Sequence, residues 1–566
     1  MTDLDAPIPP QPPAQPTATG PGLARSVEDA GRRLLRRLGE VGRRRVSPRR
    51  IGRWVLVTLA IILPSVAWGV ATASTQGSLG PHVARYDVTL DGSVTVDLGP
   101  LGTVVMDSPL PLRLGARVVV QEIPAEVTAI DAATSLESLG RAVEGYVAFF
   151  SGPEATVELA VRGLVADAVQ RTLVAAAVLG LTALAIRLAL GRERRAELAD
   201  TWRPHRGTIV GAAVVAVLVG TTVAGSDVVA VAGDDERTAS AVFDGTPLEG
   251  ARITGRLAGV VDTYGGYAVD AWRENEQFYA VAEDAVRSAW RTRQEADQRL
   301  VSAQYASDDD GEEPVTAVVV SDLHCNVGMA GVIGAVVELS GASIVLNAGD
   351  TTVNGTAVES YCVETFADAI PDGVTTVVSN GNHDSPDTTE QQLSADWVVL
   401  DGEVVEVDGI RILGDSDPRA TRIGSGTSLV GDETVASLGE RLAETACADD
   451  VDLLLVHDPA VGEDTLRRGC APSQVSGHYH QRIGPVRFGE GTRYTSTSTA
   501  GARLGQATVG PLSGVAELTI LRFDPETHRI VDYRLVRVLP DATATVTVAL
   551  RWPADPPRRT PDVPLR

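Results

Sequence analysis

Four short apolar runs in the second half of the chain each end in a group of polar side chains. The runs read TAVVVSDLH, ASIVLNAGD, TTVVSNGNHD and VDLLLVHDP, and stretches with helical spacing, such as VGMAGVIGAVVELSG, lie between them. Alternating strands and helices predict an open α/β sheet, in which functional side chains collect just outside the carboxyl ends of the strands. We therefore expect the four polar groups to meet at one edge of the fold.

Histidine is concentrated at these strand ends. The chain has eight histidines, and five of them lie in this region. Asp322 and His324 are two residues apart, as are His478 and His480, so the members of each pair can point to the same side of an extended chain. Imidazole, carboxylate and amide ligands suit manganese, iron or zinc better than calcium or magnesium. The candidate ligands are too many for one ion and comprise Asp322, His324, Asp350, Asn382, His457, His478 and His480.

The order of the motifs resembles that of the calcineurin-like metallophosphoesterase superfamily, here in a membrane-anchored bacterial type. The motifs are Asp-x-His, Gly-Asp, Gly-Asn-His-Asp, a later His and Gly-His-x-His, within about residues 315–538. The resemblance implies a four-layer α/β/β/α sandwich that hydrolyses phosphate mono- or diesters by attack of a metal-bridging hydroxide. It implies two divalent or trivalent ions, manganese, iron or zinc. The first would be held by Asp322, His324 and His480, the second by Asn382, His457 and His478, with Asp350 bridging both.

The same resemblance implies a catalytic role for His383, which would lie near the metals without binding either. Asp384 either orients the His383 ring or serves as a helix N-cap or turn carboxylate. Arg419 either contacts a substrate phosphate or belongs to a surface turn. Tyr479 and Asn380 are candidates for lining the pocket, and neither distinguishes a nucleotide from a lipid-linked phosphate.

Three nearly uncharged runs, each close to the ~20 residues that cross a bilayer as a helix, predict transmembrane segments at residues 54–73, 172–190 and 208–225. The proline-rich and arginine-rich segment 1–53 precedes the first run, and the basic connection 191–207 joins the other two. Because positive charge favours the cytoplasmic side, we expect both basic segments to lie in the cytoplasm. Residues 74–169 and everything after residue 225 would then lie outside the membrane.

The outer regions differ in their patterns. Residues 74–169 contain alternating stretches such as YDVTLDGSVTVDLG, which predict a small β-rich extracytoplasmic domain. Residues 226–314 read as a helical connector that ends in the acidic linker DDDGEEP, and residues 315–552 as the metallophosphoesterase domain. The late stretch ELTILRFDPETHRIVDYRLVRVL predicts a β-hairpin that completes the second sheet, and residues 553–566 predict a disordered tail.

All four cysteines fall within the predicted catalytic unit. Four cysteines allow three connectivities, and the spacing favours Cys325 with Cys362 and Cys447 with Cys470. Alternatively, Cys325 is a free thiol beside its neighbouring metal ligand. Two disulfides would agree with an oxidising, extracytoplasmic location.

The formal net charge of -25 argues against a nucleic-acid partner, because binding to polyphosphate needs a basic surface. It favours small or membrane-presented substrates, including lipid-linked phosphoesters. Two other functions stay open. One is a signalling phosphodiesterase that faces the cytoplasm, which would need a different number of membrane crossings. The other is a non-catalytic binding or scaffolding protein of the envelope, against which the complete set of ligands speaks.

Overall fold

The structure is a computed structural model of the chain. It describes residues 48–553 except 80–81, 122–152, 192, 195–196, 198–238, 247, 304–312, 423–425, 504–507 and 509. The predicted transmembrane segment at 208–225 lies outside the described residues. So do most of the basic segments at 1–53 and 191–207, most of the acidic linker, and the tail from residue 554.

Two long apolar helices pack against each other, α1 (Pro48–Ala71) and α2 (Pro153–Ala189). They pack closely at Gly69, where a β-carbon would lie 2.1 Å from Thr172 Oγ1. By length and composition, Trp54–Ala71 and Thr156–Ala189 are each capable of crossing a membrane, a test that a signal sequence or a core helix can also pass. Most of their apolar side chains are exposed, unlike those of a core helix.

Helix α2 begins earlier than the sequence predicts. The β-rich region was expected to reach residue 169, but the chain is helical from Pro153. Residues 153–171 carry apolar side chains at helical spacing and a proline in the first turn, which are both typical of helices. This part of α2 contacts the sheet that follows α1, where the Ser74 N–H donates a hydrogen bond of 2.9 Å to Asp167 Oδ2.

The sheet after α1, called the outer sheet, has six strands in the order β1-β2-β5-β3-β4-β6. Its small buried core consists of Ala84, Tyr86, Val118 and Ala160. The last strand comes from the connector, so the connector also belongs to this sheet. The strands are β1 (Ser74–Leu79), β2 (His82–Thr89), β3 (Ser93–Asp97), β4 (Thr103–Asp107), β5 (Gly115–Val120) and β6 (Arg252–Ile253).

Helix α3 (Arg256–Ala303) is 48 residues long and belongs to the core of the unit that follows it. Its residues Tyr279, Val286 and Trp290 are buried in one cluster with residues of the sheet that contains strands β7 (Val315–Val320) and β19 (Ala516–Phe523). The Tyr279 hydroxyl lies 2.9 Å from Asn326 Oδ1 and 2.8 Å from Gly510 O, and its ring occupies the space that a side chain at Gly328 would need. A domain that starts at residue 315 therefore leaves out part of its own core.

We expect a fragment of residues 315–566 to be much less stable than one of residues 256–566. Burial of an aromatic or large aliphatic side chain contributes about 1.5–3 kcal/mol. The loss of Tyr279, Val286 and Trp290 would thus remove a large part of the roughly 5–15 kcal/mol that stabilises a domain. Urea unfolding of the two fragments measures the difference. Equal unfolding free energies would show that α3 is only a connector.

Two mixed sheets pack face to face behind α3. The first has the order β10-β9-β8-β7-β19-β20-β21, with β22 beside β20, and the second has the order β11-β12-β15-β16-β18-β17. Their facing sides share a core that includes Val319, Leu346, Ile412, Leu453 and Tyr494. The strands at the centre of the two sheets are β7 (Val315–Val320), β8 (Ile344–Asn347), β9 (Thr375–Val378), β12 (Ile410–Leu413), β15 (Leu453–Leu455), β16 (Ser473–Ser476) and β18 (Gly491–Thr495).

The remaining elements complete the four layers. Helices α3, α4 (Met329–Ser340) and α5 (Ser360–Ala369) share a core with the outer face of the first sheet, and α7 (Val435–Ala448) shares one with the second sheet. The other helices are α6 (Pro386–Ser394) and α8 (Glu463–Arg468). The other strands are β10 (Val398–Val399), β11 (Val405–Val407), β17 (Ile483–Phe488), β19 (Ala516–Phe523), β20 (Ile530–Val538), β21 (Ala544–Val546) and β22 (Leu550–Arg551). Strands β13 (Arg419–Arg422) and β14 (Gly426–Leu429) form a separate two-stranded ribbon.

The late hairpin lies in a different sheet from the one predicted. Strands β19 and β20 extend the first sheet, because β19 pairs antiparallel with β7 from Thr519 opposite Val319 to Phe523 opposite Val315. Seven of the eight residues of β19 are buried, which is typical of a strand covered on both faces. The hairpin pattern indicates two paired strands but not which neighbour they join.

Both disulfides pair the cysteines that the spacing favours, Cys325 with Cys362 and Cys447 with Cys470. The alternative of a free Cys325 thiol is therefore wrong. The first disulfide joins the loop after β7 to helix α5, and the second joins the end of α7 to the segment after α8.

Candidate metal centre

The predicted ligands meet where two groups of parallel strands end. Strands β7, β8 and β9 are parallel neighbours in the first sheet, as are β15 and β16 in the second. Each strand is followed within a few residues by ligand-type side chains. They are Asp322 and His324 after β7, Asp350 after β8, Asn382 after β9, His457 after β15, and His478 and His480 after β16.

The first group capable of holding a metal ion comprises Asp322, His324, Asp350 and His480. The Nε2 atoms of His324 and His480 are 3.1 Å apart, and His480 Nε2 is 3.3 Å from Asp322 Oδ1. His324 Nε2 lies 3.8 Å from Asp350 Oδ2. Three of the four residues are buried and His480 is half-buried.

The second group comprises Asp350, His457 and His478, and Asp350 thus belongs to both. His457 Nε2 is 3.2 Å from Asp350 Oδ2 and 3.2 Å from His478 Nδ1. Asn382 joins this group, because its Oδ1 lies 3.2 Å from the same His457 nitrogen. All seven side chains that the sequence singles out as ligands are therefore gathered around one shared carboxylate.

The donor atoms of the second group fit a bound cation. His457 Nδ1 lies 2.7 Å from the Ala348 carbonyl, which can only accept, so Nδ1 carries the hydrogen, and Nε2 presents a lone pair whenever the ring is neutral. In that state the lone pair faces the Asp350 carboxylate and the Asn382 amide oxygen, which are also acceptors. Acceptors aimed at one another repel unless a positive charge lies among them. The arrangement is that of ligands around a metal ion.

The backbone is strained at five of the seven ligands. Their φ angles are 53° at Asp322, 42° at His324, 56° at Asp350, 74° at His478 and 51° at His480. Positive φ is uncommon outside glycine, and each instance costs about 1–3 kcal/mol. The fold thus turns these side chains toward a common point at a local cost in stability, a pattern that is concentrated at functional sites.

Glycines in the motifs make room for the ligands. Gly349, Gly381 and Gly477 come directly before Asp350, Asn382 and His478, and a β-carbon on them would lie 2.7 Å from His457 Nδ1, 2.2 Å from Asp350 Oδ1 and 2.8 Å from Asp322 Oδ2, respectively. Real β-carbons essentially never come so close to a heavy atom that is not bonded to them. The glycine in each motif is therefore required by the neighbouring ligands, and Gly349 is also required by its positive φ of 93°.

The two histidines that face Asp350 have pKa values shifted in opposite directions. Burial lowers the pKa of His324 to about 4. Burial would also lower the pKa of His457, but the Asp350 charge and the hydrogen bond to Asp350 raise it to about 10. Burial would raise the pKa of Asp350, but the charges of its histidine neighbours and the His457 hydrogen bond hold it well below its usual range. A cation beside Asp350 is favoured, whether a proton or a metal ion.

His383 lies beside the first group without joining it. Its ring meets the His324 ring edge-to-face, with 4.8 Å between the centroids. Its Nδ1 lies 2.6 Å from the Val353 carbonyl, so Nδ1 carries the hydrogen and Nε2 is left to exchange a proton. The His383 backbone N–H donates to Asp350 Oδ1 at 2.9 Å, which ties its position to the shared carboxylate.

Asp384 does not orient the His383 ring, whose Nδ1 is bonded to a carbonyl instead. Its buried carboxylate accepts backbone N–H bonds from Asp350, Thr352 and Gly381 at 2.9, 3.0 and 2.9 Å. Of the two roles considered for it, the turn carboxylate is the one that the structure has. Burial and the nearby Asp350 charge raise the pKa of Asp384 despite these hydrogen bonds.

Of the three remaining candidates for substrate contact, Arg419 and Asn380 are bonded inside the protein instead, whereas Tyr479 is partly exposed. Arg419 pairs with Asp417 at 2.7 Å and with Asp458 at 2.6 Å, so its charge is balanced inside the protein. Asn380 is only 2% exposed, and both ends of its amide are bonded, to Thr389 and Gln392. Tyr479 is 46% exposed, and its ring leans against that of His478 at 5.5 Å, which leaves it at the edge of the centre.

Two residues of strand β13 support the centre, although no sequence pattern marks them. Thr421 Oγ1 accepts a 2.7 Å hydrogen bond from Asn382 Nδ2, which turns Asn382 Oδ1 toward His457. The Arg422 guanidinium donates to the backbone carbonyls of Asn382, His383 and Asp384 at 3.0–3.3 Å. No ligand motif lies beside strand β13 in the sequence, so sequence reasoning could not have found these two residues.

We expect Thr421→Val to weaken metal binding at the second group by about 10–100-fold, the usual cost of losing a partner of a metal ligand. Valine keeps the shape but cannot hold the Asn382 amide. Titration of the metal-free protein with zinc against a chromogenic chelator measures the effect, and Thr445→Val, which loses only a hydrogen bond on helix α7, is the control. Unchanged zinc affinity would mean that Asn382 is positioned without Thr421.

No family model and no curated protein matches the sequence. Among solved structures, the chain is similar to a novel archaeal phosphodiesterase (14% identity, 40% of this chain and 100% of that one, TM-score 0.25). It is also similar to a novel phosphatase from Mycoplasma pneumoniae (14% identity, 40% of this chain and 94% of that one, TM-score 0.29). A third similar structure is purple acid phosphatase PPD1 from yellow lupin seeds (12% identity, 41% of this chain and 53% of that one, TM-score 0.27). Because these sequence identities and TM-scores are low, the activities of those proteins are not assigned to this chain. The chemistry of this chain is argued from its own side chains.

Proposed function

We propose that this protein is a membrane-anchored, metal-dependent phosphoesterase that hydrolyses phosphate mono- or diesters. One observation carries the proposal: two groups of metal-ligand side chains share the Asp350 carboxylate, and His383 lies against them with one ring nitrogen left to exchange a proton. The order of the ligand motifs along the chain agrees with a calcineurin-like metallophosphoesterase. The outer sheet and the apolar helices would place this unit at a membrane.

Each group would hold one ion of manganese, iron or zinc. Two such ions supply a water of lowered pKa as nucleophile and a positive charge that binds the phosphoryl oxygens. The chain itself fixes the positions. Asp350 keeps the two groups together, Thr421 and Ala348 set the orientation of Asn382 and His457, and the Asp384 carboxylate joins the backbone after β8 to that after β9.

His383 would serve the leaving group. With Nδ1 held by the Val353 carbonyl, a protonated ring presents Nε2–H outward and transfers that proton to the departing oxygen. The same N–H would alternatively hold a phosphoryl oxygen as negative charge develops. Because the His383 backbone is bound to Asp350, the ring keeps a fixed place relative to the ligand groups.

The membrane arrangement proposed is an N-terminus in the cytoplasm and a catalytic unit outside, with three crossings at 54–73, 172–190 and 208–225. Three features support it: two apolar helices of sufficient length, arginines before the first run and after the second, and two disulfides in the catalytic unit. Disulfides persist in oxidising compartments and are rare in the cytosol. Phosphoesters outside the membrane, small or lipid-linked, would be the substrates.

The test of function is hydrolysis of paired chromogenic phosphate mono- and diesters by the full-length protein in detergent. Metal-free protein should be inactive, and added manganese, zinc or iron should restore turnover. His528→Ala, a change of a histidine that pairs with Asp452 far from the ligands, should leave turnover unchanged. Absence of turnover with any of the three metals, in protein that has bound them, would overturn the assignment to either ester class.

The test of orientation is labelling of engineered cysteines in intact cells with a membrane-impermeant maleimide. The native cysteines are all in disulfides, so they will not react. We expect labelling of Glu526→Cys, in the exposed turn between β19 and β20, and none of Ser26→Cys before the cells are lysed. The reverse pattern would place the catalytic unit in the cytoplasm.

A further inference from the structure

A cavity of about 300 Å³ lies between helix α3 and the first sheet. One wall is the last third of α3, and the other comes from strands β7, β19 and β20. Its lining includes Trp290, Arg293, Asp297, Ile520, Arg522 and Arg534. The volume matches the smaller sites that proteins use for organic ligands.

The cavity is separate from the metal centre. Thr316 is at the beginning of β7, whereas Asp322 and His324 follow the end of that strand. At about 3.3 Å per residue, the four steps from Thr316 to the end of β7 at Val320 span roughly 13 Å, and Asp322 lies beyond that end. A ligand in the cavity therefore cannot touch the predicted metal ligands.

The charges that line the cavity are mainly positive. Arg293 and Arg534 both pair with the single carboxylate of Asp297, at 2.9 and 2.7 Å, so two guanidinium groups share one negative charge. Arg522 is held by Asp532, which is not part of the lining. Three arginines thus face the cavity with one carboxylate, in a chain whose net charge is -25.

Two buried donors in the lining have no acceptor among the described residues. The Trp290 side chain is buried, with 8% of the residue exposed, and its Nε1–H makes no hydrogen bond. The Arg293 Nε–H is also buried and unpaired, although the end of the same guanidinium reaches Asp297. Buried polar groups are normally paired, and both of these can only donate. The lining therefore leaves these two donors without an acceptor.

We propose that this cavity is a binding site for a small organic anion that carries a phosphate or carboxylate group. The anionic oxygens would accept from Trp290, Arg293 and Arg534, and the organic part would lie against Ile520 and the indole ring. Excess arginine, unpaired donors and a volume larger than one phosphate ion all favour such a ligand. The site does not depend on the phosphoesterase activity proposed above. By joining α3 to the sheet, the ligand would stabilise the helix that also bonds Asn326 through Tyr279.

The test is isothermal titration of the full-length protein in detergent after removal of metal by a chelator, with inorganic phosphate, phenyl phosphate and succinate as separate probes. We expect one-to-one binding of at least one probe and a matching rise in the midpoint of thermal unfolding. Trp290→Phe, which removes only the donor, and Arg534→Gln should each weaken that binding by about tenfold or more.

Two controls separate this site from others. Arg287→Gln, on the same helix but bound to Glu338 outside the cavity, should bind the probes like the wild type. Asp350→Asn should also bind them, because the metal centre takes no part. The proposal is overturned if none of the three probes binds, or if Trp290→Phe and Arg534→Gln both bind as tightly as the wild type.

Discussion

Asp350→Asn is expected to lower the bound metal to one ion per chain or fewer and to reduce turnover by about a thousandfold or more. Asp350 is the only residue shared by both ligand groups. Asparagine removes the negative charge that His457 and His324 face, and it offers one ligand oxygen instead of two. Metal analysis of the purified protein and hydrolysis of a chromogenic ester measure the two effects. Loss of metal and loss of activity should occur together.

The matched control is Asp452→Asn. Asp452 is a partly buried aspartate that pairs with His528 at 3.3 Å, in a part of the fold away from the ligands. This variant should keep its metal and its activity. If Asp350→Asn bound two ions and turned over substrate like the wild type, the shared carboxylate would have no role, and the account of the centre would be wrong.

His383→Ala is expected to reduce turnover by about 10²–10⁴-fold while both metals stay bound, because general acid catalysis contributes about that much. The ring contacts His324 but is held from the other side by the Val353 carbonyl, so its removal leaves all seven predicted ligands in place. His528→Ala removes a histidine of similar exposure that is not near the ligands, and it should be fully active.

A series of esters with different leaving groups separates the two roles open to His383. If the ring protonates the departing oxygen, alkyl phosphates should lose far more activity in His383→Ala than nitrophenyl phosphates, whose leaving groups need no proton. If it holds a phosphoryl oxygen, all esters should lose activity equally. Full activity of the variant toward every ester would exclude both roles.

Much of the centre could be predicted because parallel strands leave little freedom. Once β7, β8, β9, β15 and β16 are parallel neighbours in two packed sheets, the residues that follow them must meet. The spacing of two in the Asp-x-His and His-x-His motifs then gives two ligands per loop. The positive φ angles at these loops could not be inferred, since they depend on the glycines and carbonyls that surround each ligand.

Contacts made by side chains distant in sequence could not be predicted. Asp384 follows His383 directly, yet its carboxylate binds the backbone after β8. From the sequence, Arg419 is a cation available to a substrate. In the fold, Asp458 lies 2.6 Å from its guanidinium and pairs with it. Thr421 supports Asn382 from 39 residues away, and no motif connects the two.

The sequence pattern also did not show that the catalytic unit includes helix α3. The amphipathic spacing of residues 256–303 predicts a helix with one buried face, but not which surface covers that face. The structure places Tyr279 and Trp290 in the core of the first sheet. The late hairpin shows the same limit, because the pairing of β19 with β7 depends on which edge of the first sheet is open.

The most direct test of the central claim is the number of metal ions in the full-length protein. After purification and equilibration with manganese, iron or zinc followed by desalting, elemental analysis should find two ions per chain for at least one of these metals, and about one or none in Asp350→Asn. Fewer than one ion per chain with every metal, in protein that is folded by its thermal transition, would contradict a dinuclear centre built on Asp350.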